Sequence, residues 1–343
     1  MPPNATIDVH THFFPAGLAD LAVTTGDPRW PSLAVDGQGR GRIMRGTTVF
    51  RPVAPTCWDP TARVEAMDAA GIDVHVLSPV PVTLVTWAEP RLAADFARAQ
   101  NDALAAAAAT AHDRFRWFGS VPLQDTDLAI AELERSSREL GMAGVEIGTE
   151  VAGRELDDAT LRPFFAAAAD LGVPVFVHPT DGAGAIRRTS PPYEFGLGML
   201  TDTAMAAGAL VFGGVLAALP TLRVGLAHGC GSFPWAYPRL ARGATLGPAP
   251  ADVSAHDADV RRLWVDSLVF DPLHLPLLVA RFGADHVLLG SDFPFYPAAW
   301  GGPLDILEQA AAGGLCTPAQ ATAVRTTNAL AFLADPTQRT TNP

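Results

Sequence analysis

Cysteine is scarce in this chain of 343 residues: Cys57, Cys230 and Cys316 are the only three, and none stands in CxxC spacing. That excludes a disulfide scaffold and paired-thiolate metal motifs, so reduced thiols in a cytoplasmic protein are expected. Charged residues are few, 17%, and the 24 basic ones are outnumbered by 36 acidic ones, for a net charge of −12. An acidic surface disfavours DNA, RNA and anionic lipid as partners. The first residues, MPPNATIDVHTHFFP, lack a basic n-region and an apolar h-region, so no secretory signal is expected there. The most apolar stretch, 204–219 (AMAAGALVFGGVLAAL), is shorter than the ~20 residues that span a bilayer and is read as a buried helix. Internal repeats and charge runs are missing too. What is present is apolar: 48% hydrophobic residues suffice for a sizeable core.

Short β-rich runs alternate with longer helical segments. The runs fall at 6–9, 73–77, 115–121, 143–147, 173–177, 222–227, 264–270 and 286–289, and most are continuous rather than alternating in hydrophobicity. That pattern belongs to parallel strands covered on both faces. Helix punctuation lies between them. Asp59-Pro60 opens a helix that Gly71 stops, Asp127 to Leu140 turns Leu128, Ala131 and Leu133 inward, and Asp157 to Leu171 ends at Gly172. Asp271-Pro272 and Thr317-Pro318 open two more. Eight strands alternating with helices predict an α/β fold, a (β/α)8 TIM-like barrel over 1–15 and 59–336. A doubly wound open sheet is the alternative, but no GxGxxG follows the first strand. Residues 16–58 break the rhythm and are expected to form a small β-rich insertion over the barrel mouth, since a structureless loop of that length is unusual. The tail 337–343 is expected to fray.

His10 and His12 flank Thr11 at the end of the first predicted strand, where alternate residues point the same way. His178 ends VPVFV, His228 ends LRVGLA, and Asp292 follows HVLLGS. Each polar group stands at the C-terminal end of an apolar strand, where barrel enzymes place their chemistry. Singly, each reads as a capped or hydrogen-bonded core group. Together, four histidines and an aspartate around one mouth suit a borderline divalent ion such as Zn2+.

The motifs IDVHTH, FVHP, LAHG and LLGSDFPF, in that order, resemble the amidohydrolase superfamily. More narrowly, VFRPV, CWDP, MDAAGIDVHVLSPVPV, GVEIGT, AHGCGSFPWAYPR, DPLHLPLL and NALAFL resemble the 2-amino-3-carboxymuconate-6-semialdehyde decarboxylase-like family over roughly 7–333. The resemblance implies that His10, His12, His178 and Asp292 hold one Zn2+, with Mn2+ as another fitting ion, and that His228 is the general acid/base beside the metal-bound water or hydroxide. It implies that Arg51 and Arg239 bind a substrate carboxylate, Arg239 across a homodimer interface. Phe195 and Phe295 are the aromatic candidates for the substrate pocket. The reaction implied is nonoxidative loss of CO2 from an unsaturated or aromatic acid, such as 2-amino-3-carboxymuconate 6-semialdehyde or a hydroxybenzoate-like acid.

Two positions depart from that family's pattern. Thr180-Asp181 stands where Trp-Asp follows the proline, and Phe195, ahead of Asp202-Thr203, stands where a second pocket tryptophan is usual. Both alter the pocket wall and leave the substrate open. A metal-dependent hydrolase, acting on a lactone or a C–C bond, is the competing enzyme class, and a barrel that binds metal without turnover is the non-enzymatic one.

Overall fold

In the computed structural model, residues 4–180, 184, 186–247, 252–296, 300–302 and 304–333 are described. The chain opens with β1 (Ile7–Phe13). A short helix α1 (Leu21–Thr25) and three strands, β2 (Pro31–Val35), β3 (Gly41–Arg45) and β4 (Thr48–Val53), follow within 16–58. These strands form an antiparallel sheet in the order β2-β3-β4. Ile43, Leu33 and Val53 of this sheet pack with Phe14, Val80, Val82 and Phe295, which fixes the insertion against the loops after β1 and the later strands.

Seven further barrel strands are β5 (Val74–Pro79), β6 (Phe115–Gly119), β7 (Gly144–Gly148), β10 (Val175–His178), β11 (Val224–Leu226), β12 (Leu263–Asp266) and β13 (Val287–Leu288). The two-residue strands β8 (Glu150–Val151) and β9 (Arg154–Glu155) form a separate hairpin. The eight-stranded sheet runs β1-β5-β6-β7-β10-β11-β12-β13, with every paired neighbour parallel. Its two edges meet through a parallel bridge between Thr11 and Phe293, with Val9 N–H donating to Leu289 O at 3.0 Å and His12 N–H to Phe293 O at 2.7 Å. The fold is the predicted (β/α)8 barrel, and each of the eight predicted runs carries a strand. Strands six to eight are shorter than their apolar runs; β12 stops at Asp266, which still pairs with Leu288.

Helices α2 (Pro60–Ala70), α3 (Pro90–Ala109), α4 (Thr126–Glu139) and α5 (Arg162–Asp170) cover the first half. A short α6 (Pro191–Tyr193) leads through one π-helical turn into α7 (Met199–Phe212), followed by α8 (Val215–Ala218), α9 (Phe233–Ala244) and α10 (Asp257–Val260). The last four are α11 (Leu275–Phe282), α12 (Asp305–Ala312), α13 (Pro318–Thr322) and α14 (Asn328–Phe332). The Asp59-Pro60 signal works as read: the Asp59 carboxylate accepts from Thr61 N–H, and Gly71 ends α2 with a left-handed φ of 68°.

Two local expectations are corrected. The stretch 204–219 is not one helix: α7 stops at Gly213, and Gly214, at φ 74°, starts α8. The run Pro191–Phe212 is long and apolar enough to cross a membrane by length and composition, but Ala206, Ala207, Leu210 and Val211 bury into the barrel shell. In α4 the inward face is Ala129, Glu132, Leu133 and Ser136, while Ala131 is exposed. Glu132 turns inward because it is paired, accepting from Arg135 and from Asn101. The fraying expected at 337–343 and Asp181 fall outside the described residues.

Candidate metal centre

His10 and His12 share one side of β1, His178 is the last residue of β10, His228 follows β11 by two residues, and Asp292 follows β13 by four. One donor atom from each of His10, His12, His178 and Asp292 lies within 4.8 Å of the others, and all four residues are buried. A single ion at about 2.0–2.2 Å from each ligand fits this cage after small inward adjustments.

The hydrogen bonds behind the imidazoles decide which nitrogen faces the cage. His10 Nδ1 donates to Asp266 Oδ2 at 2.7 Å, His12 Nδ1 to the Pro79 carbonyl at 2.8 Å and His178 Nδ1 to the Pro179 carbonyl at 2.7 Å. A carbonyl or carboxylate only accepts, so each Nδ1 carries the proton and each Nε2 can present a lone pair. His10, His12 and His178 Nε2 and Asp292 Oδ1 are all buried without a hydrogen-bond partner. Buried polar atoms are rarely left so. Four together, of these donor types and this spacing, fit a divalent cation.

Backbone geometry at the site is unusual. His228 and Asp292, neither a glycine, both have φ of 56°, in the left-handed region. Asp266 holds the first of these turns, because its carboxylate accepts from His228 N–H at 2.8 Å, Gly229 N–H at 2.9 Å and Leu268 N–H at 3.0 Å. Gly290 lets the elements close up: a Cβ there would lie 2.8 Å from the Cβ atoms of Asp266 and His10.

Electrostatics follow from burial and pairing. Burial opposes charge on His10, but the hydrogen bond and charge of Asp266 outweigh it and push His10 up to about 9. Burial also opposes ionisation of Asp266, yet His10 and the backbone N–H groups hold its carboxyl below the usual range. Burial, then the neighbouring imidazoles of His12, His10 and His228, hold His178 well below the usual imidazole range. Asp292 resists burial through His12, His228 and His10 and stays well below the ordinary carboxylate value. The Asp292 carboxylate is thus an anion facing three rings.

His228 sits beside this cage. Its ring centroid is 5.1 Å from that of His178, and its Nε2 is 3.9 Å from Asp292 Oδ2. Neither ring nitrogen has a hydrogen-bond partner. Arg51, on β4, holds its guanidinium carbon 4.6 Å from the Phe295 ring centroid, and Phe295 stacks on His12 at 5.4 Å. The insertion therefore brings a cation to the rim. Phe195 lies in a ring cluster with Phe270, Tyr296 and Trp300, at 5.8–5.9 Å. Arg239 is exposed on α9, and no contact joins it to the four ligands.

Three participants escaped the sequence reading: Asp266, Glu146 and Tyr296. The signal for the first two was a carboxylate inside an apolar strand, in WVDSLVF and GVEIG. Tyr296 offered none, yet burial and the charge of the Asp292 carboxylate push its hydroxyl well above the ordinary value. A cavity of about 300 Å3 opens on the other side of this turn, lined by His75, Ser267, Phe293, Tyr296, Trp300 and Gln309, and includes none of the four ligands.

The amidohydrolase family profile matches residues 7–334. The chain is 37% identical over 292 residues to the 2-amino-3-carboxymuconate-6-semialdehyde decarboxylase of Dictyostelium discoideum, covering 84% of this chain and 81% of that protein. It is 30% identical over 312 residues to the gamma-resorcylate decarboxylase of Polaromonas sp., covering 85% and 89%. Among solved structures, the 5-carboxyvanillate decarboxylase of Sphingomonas paucimobilis superposes with a TM-score of 0.79 at 21% identity, over 96% of this chain and 98% of that one, which shows the shared fold. The profile spans both ends of the ligand set, from His10 to Asp292, and the chain belongs to the amidohydrolase family.

Proposed function

We propose that this protein is a zinc-dependent nonoxidative decarboxylase that releases CO2 from an unsaturated or aromatic carboxylic acid. The observation that carries the reading is the inward convergence of three Nε2 lone pairs and one carboxylate oxygen, none otherwise partnered. The decarboxylases among its relatives support the reaction type, and the three-imidazole, one-carboxylate donor set suits zinc. Manganese is the competing ion, since a related dihydroxybenzoic acid decarboxylase from Polaromonas was crystallised with it.

A divalent ion held by His10, His12, His178 and Asp292 would supply Lewis acidity and lower the pKa of bound water. The chain's own groups do the rest. Arg51 pairs with the substrate carboxylate and orients it over the buried rings. His228, unpartnered at both nitrogens, gives a proton to the carbon that bears that carboxylate, so that this carbon becomes tetrahedral. The C–C bond then breaks, CO2 leaves, and the electron pair of the broken bond restores the unsaturated system. Hydrogen has replaced the carboxylate.

The active form in this reading is a homodimer in the cytoplasm, with Arg239 donated to the partner's site. Trp235, 82% exposed, lies one turn before Arg239 on α9 and would bury with it. Three free, buried cysteines accord with a reducing compartment. The insertion 16–58, which carries Arg51, acts as a subdomain over the mouth.

The test is a panel of carboxylic acids, including 2-amino-3-carboxymuconate 6-semialdehyde and hydroxybenzoates, with metal-loaded protein and mass-spectrometric detection of gas. CO2 release that stops on chelation supports the reading. Products that have gained water without gas would instead make the protein a hydrolase.

A further inference from the structure

The cavity of about 300 Å3 lies between α2 and α12 and ends against the turn that carries Asp292. Its inner end is formed by the buried residues His75, Ser267 and Gly290, and its outer end by the exposed Trp300, Gly301 and Gln309. Aromatic rings wall it: Phe270, Tyr296 and Trp300 pack together at 5.1–5.7 Å, and Phe293 sits 5.4 Å from the His75 ring. His75 is only 2% exposed. Arg63 donates to its Nδ1 at 3.4 Å, so the ring proton is on Nε2. Asp8 Oδ2 is 3.8 Å from Nε2, too far for a hydrogen bond, and already accepts from Ser291. Burial, then the charges of Arg63 and Arg114, hold this imidazole well below its ordinary value, so it is neutral. The buried Ser267 side chain also makes no hydrogen bond among the described residues.

We propose that this cavity is a binding site for a small, neutral aromatic molecule bearing a hydroxyl group, of the phenol class. The rings of Phe270, Phe293, Tyr296 and Trp300 supply flat apolar walls for another ring. The phenol oxygen accepts from His75 Nε2–H, which satisfies a buried donor that the protein leaves without a partner. Asp305 is the one charged group among the described lining residues, so a carboxylate would meet a like charge. A cation would meet the donor hydrogen of His75 at the inner end. The cavity shares no residue with the four converging donors and its occupant needs no ion, so the inference stands apart from the reaction proposed above.

The experiment measures the affinity of phenol, toluene and benzoate by ligand-observed NMR for wild type and for Ala66→Met and Ile306→Phe, which fill the cavity from α2 and from α12. Melting temperatures identify which variants fold. Phenol should bind either filled variant about tenfold or more weakly than wild type. Benzoate should bind every protein alike, because any site it has lies elsewhere. In wild type, phenol should bind more tightly than toluene, which lacks the oxygen. Phenol affinity equal to wild type in whichever filled variant folds, or no phenol binding by wild type, would overturn the proposal. A loss of benzoate binding as steep as that of phenol would overturn the neutral class, and toluene on a par with phenol would overturn the role of His75. Metal uptake and CO2 release are read by neither variant, so failure here leaves the metal centre standing.

Discussion

His10 Nδ1 and Asp266 Oδ2 lie 2.7 Å apart, both fully buried, and that one contact orients a metal-facing ring while the same carboxylate braces the turn bearing His228. Replacing Asp266 by Asn removes the charge and half of the acceptor capacity. Metal affinity should fall about 10–100-fold, as read by chelator competition. Unchanged affinity would mean that His10 is oriented by packing alone.

The same pair makes the metal-free protein pH-dependent. His10 titrates near 9 when folded, against about 6.5 in an unfolded chain. A raised folded value means stability that is complete below about 6.5 and lost as pH rises through about 9. Chelated protein should therefore melt at a lower temperature at pH 9.5 than at pH 6.5. Asp266→Asn should flatten that slope; a slope that persists in the variant would assign it to another group.

His228→Ala should keep the bound ion, because His228 is not among the four converging donors. Turnover should fall about 10²–10⁴-fold, the usual contribution of a general acid/base. Metal content by elemental analysis separates this outcome from simple loss of the ion.

Arg51→Ala and Arg239→Ala should each cripple the enzyme. If Arg239 serves the partner's site, a statistical mixture of the two variants restores about one site in four. Mixed dimers verified by mass spectrometry yet showing no recovery would mean that Arg239 does not serve the partner's site.

Much of this was legible because strand periodicity and strand ends are local signals. His10 and His12 share a face because side chains alternate, and His178 reaches the cage because it ends an apolar strand. The less legible residues act across long separations. Asp266 reads in WVDSLVF as one polar residue in a strand, and only the folded sheet brings it beside His10. Phe195 lies among aromatics, but its partners Phe270 and Trp300 come from loops with no periodicity. The break at Gly213–Gly214 was hidden because a run of alanine, leucine and glycine has no phase to lose.

The seam between β1 and the segment after β13 joins the two edges of the eight-stranded sheet, which lie far apart in the sequence. During synthesis His10 and His12 leave the ribosome early, while the aspartate that completes their donor set emerges near the end. Without that carboxylate the three imidazoles lack the one charged member of their donor set. The four-donor cage therefore assembles only when the segment carrying Asp292 has closed against β1.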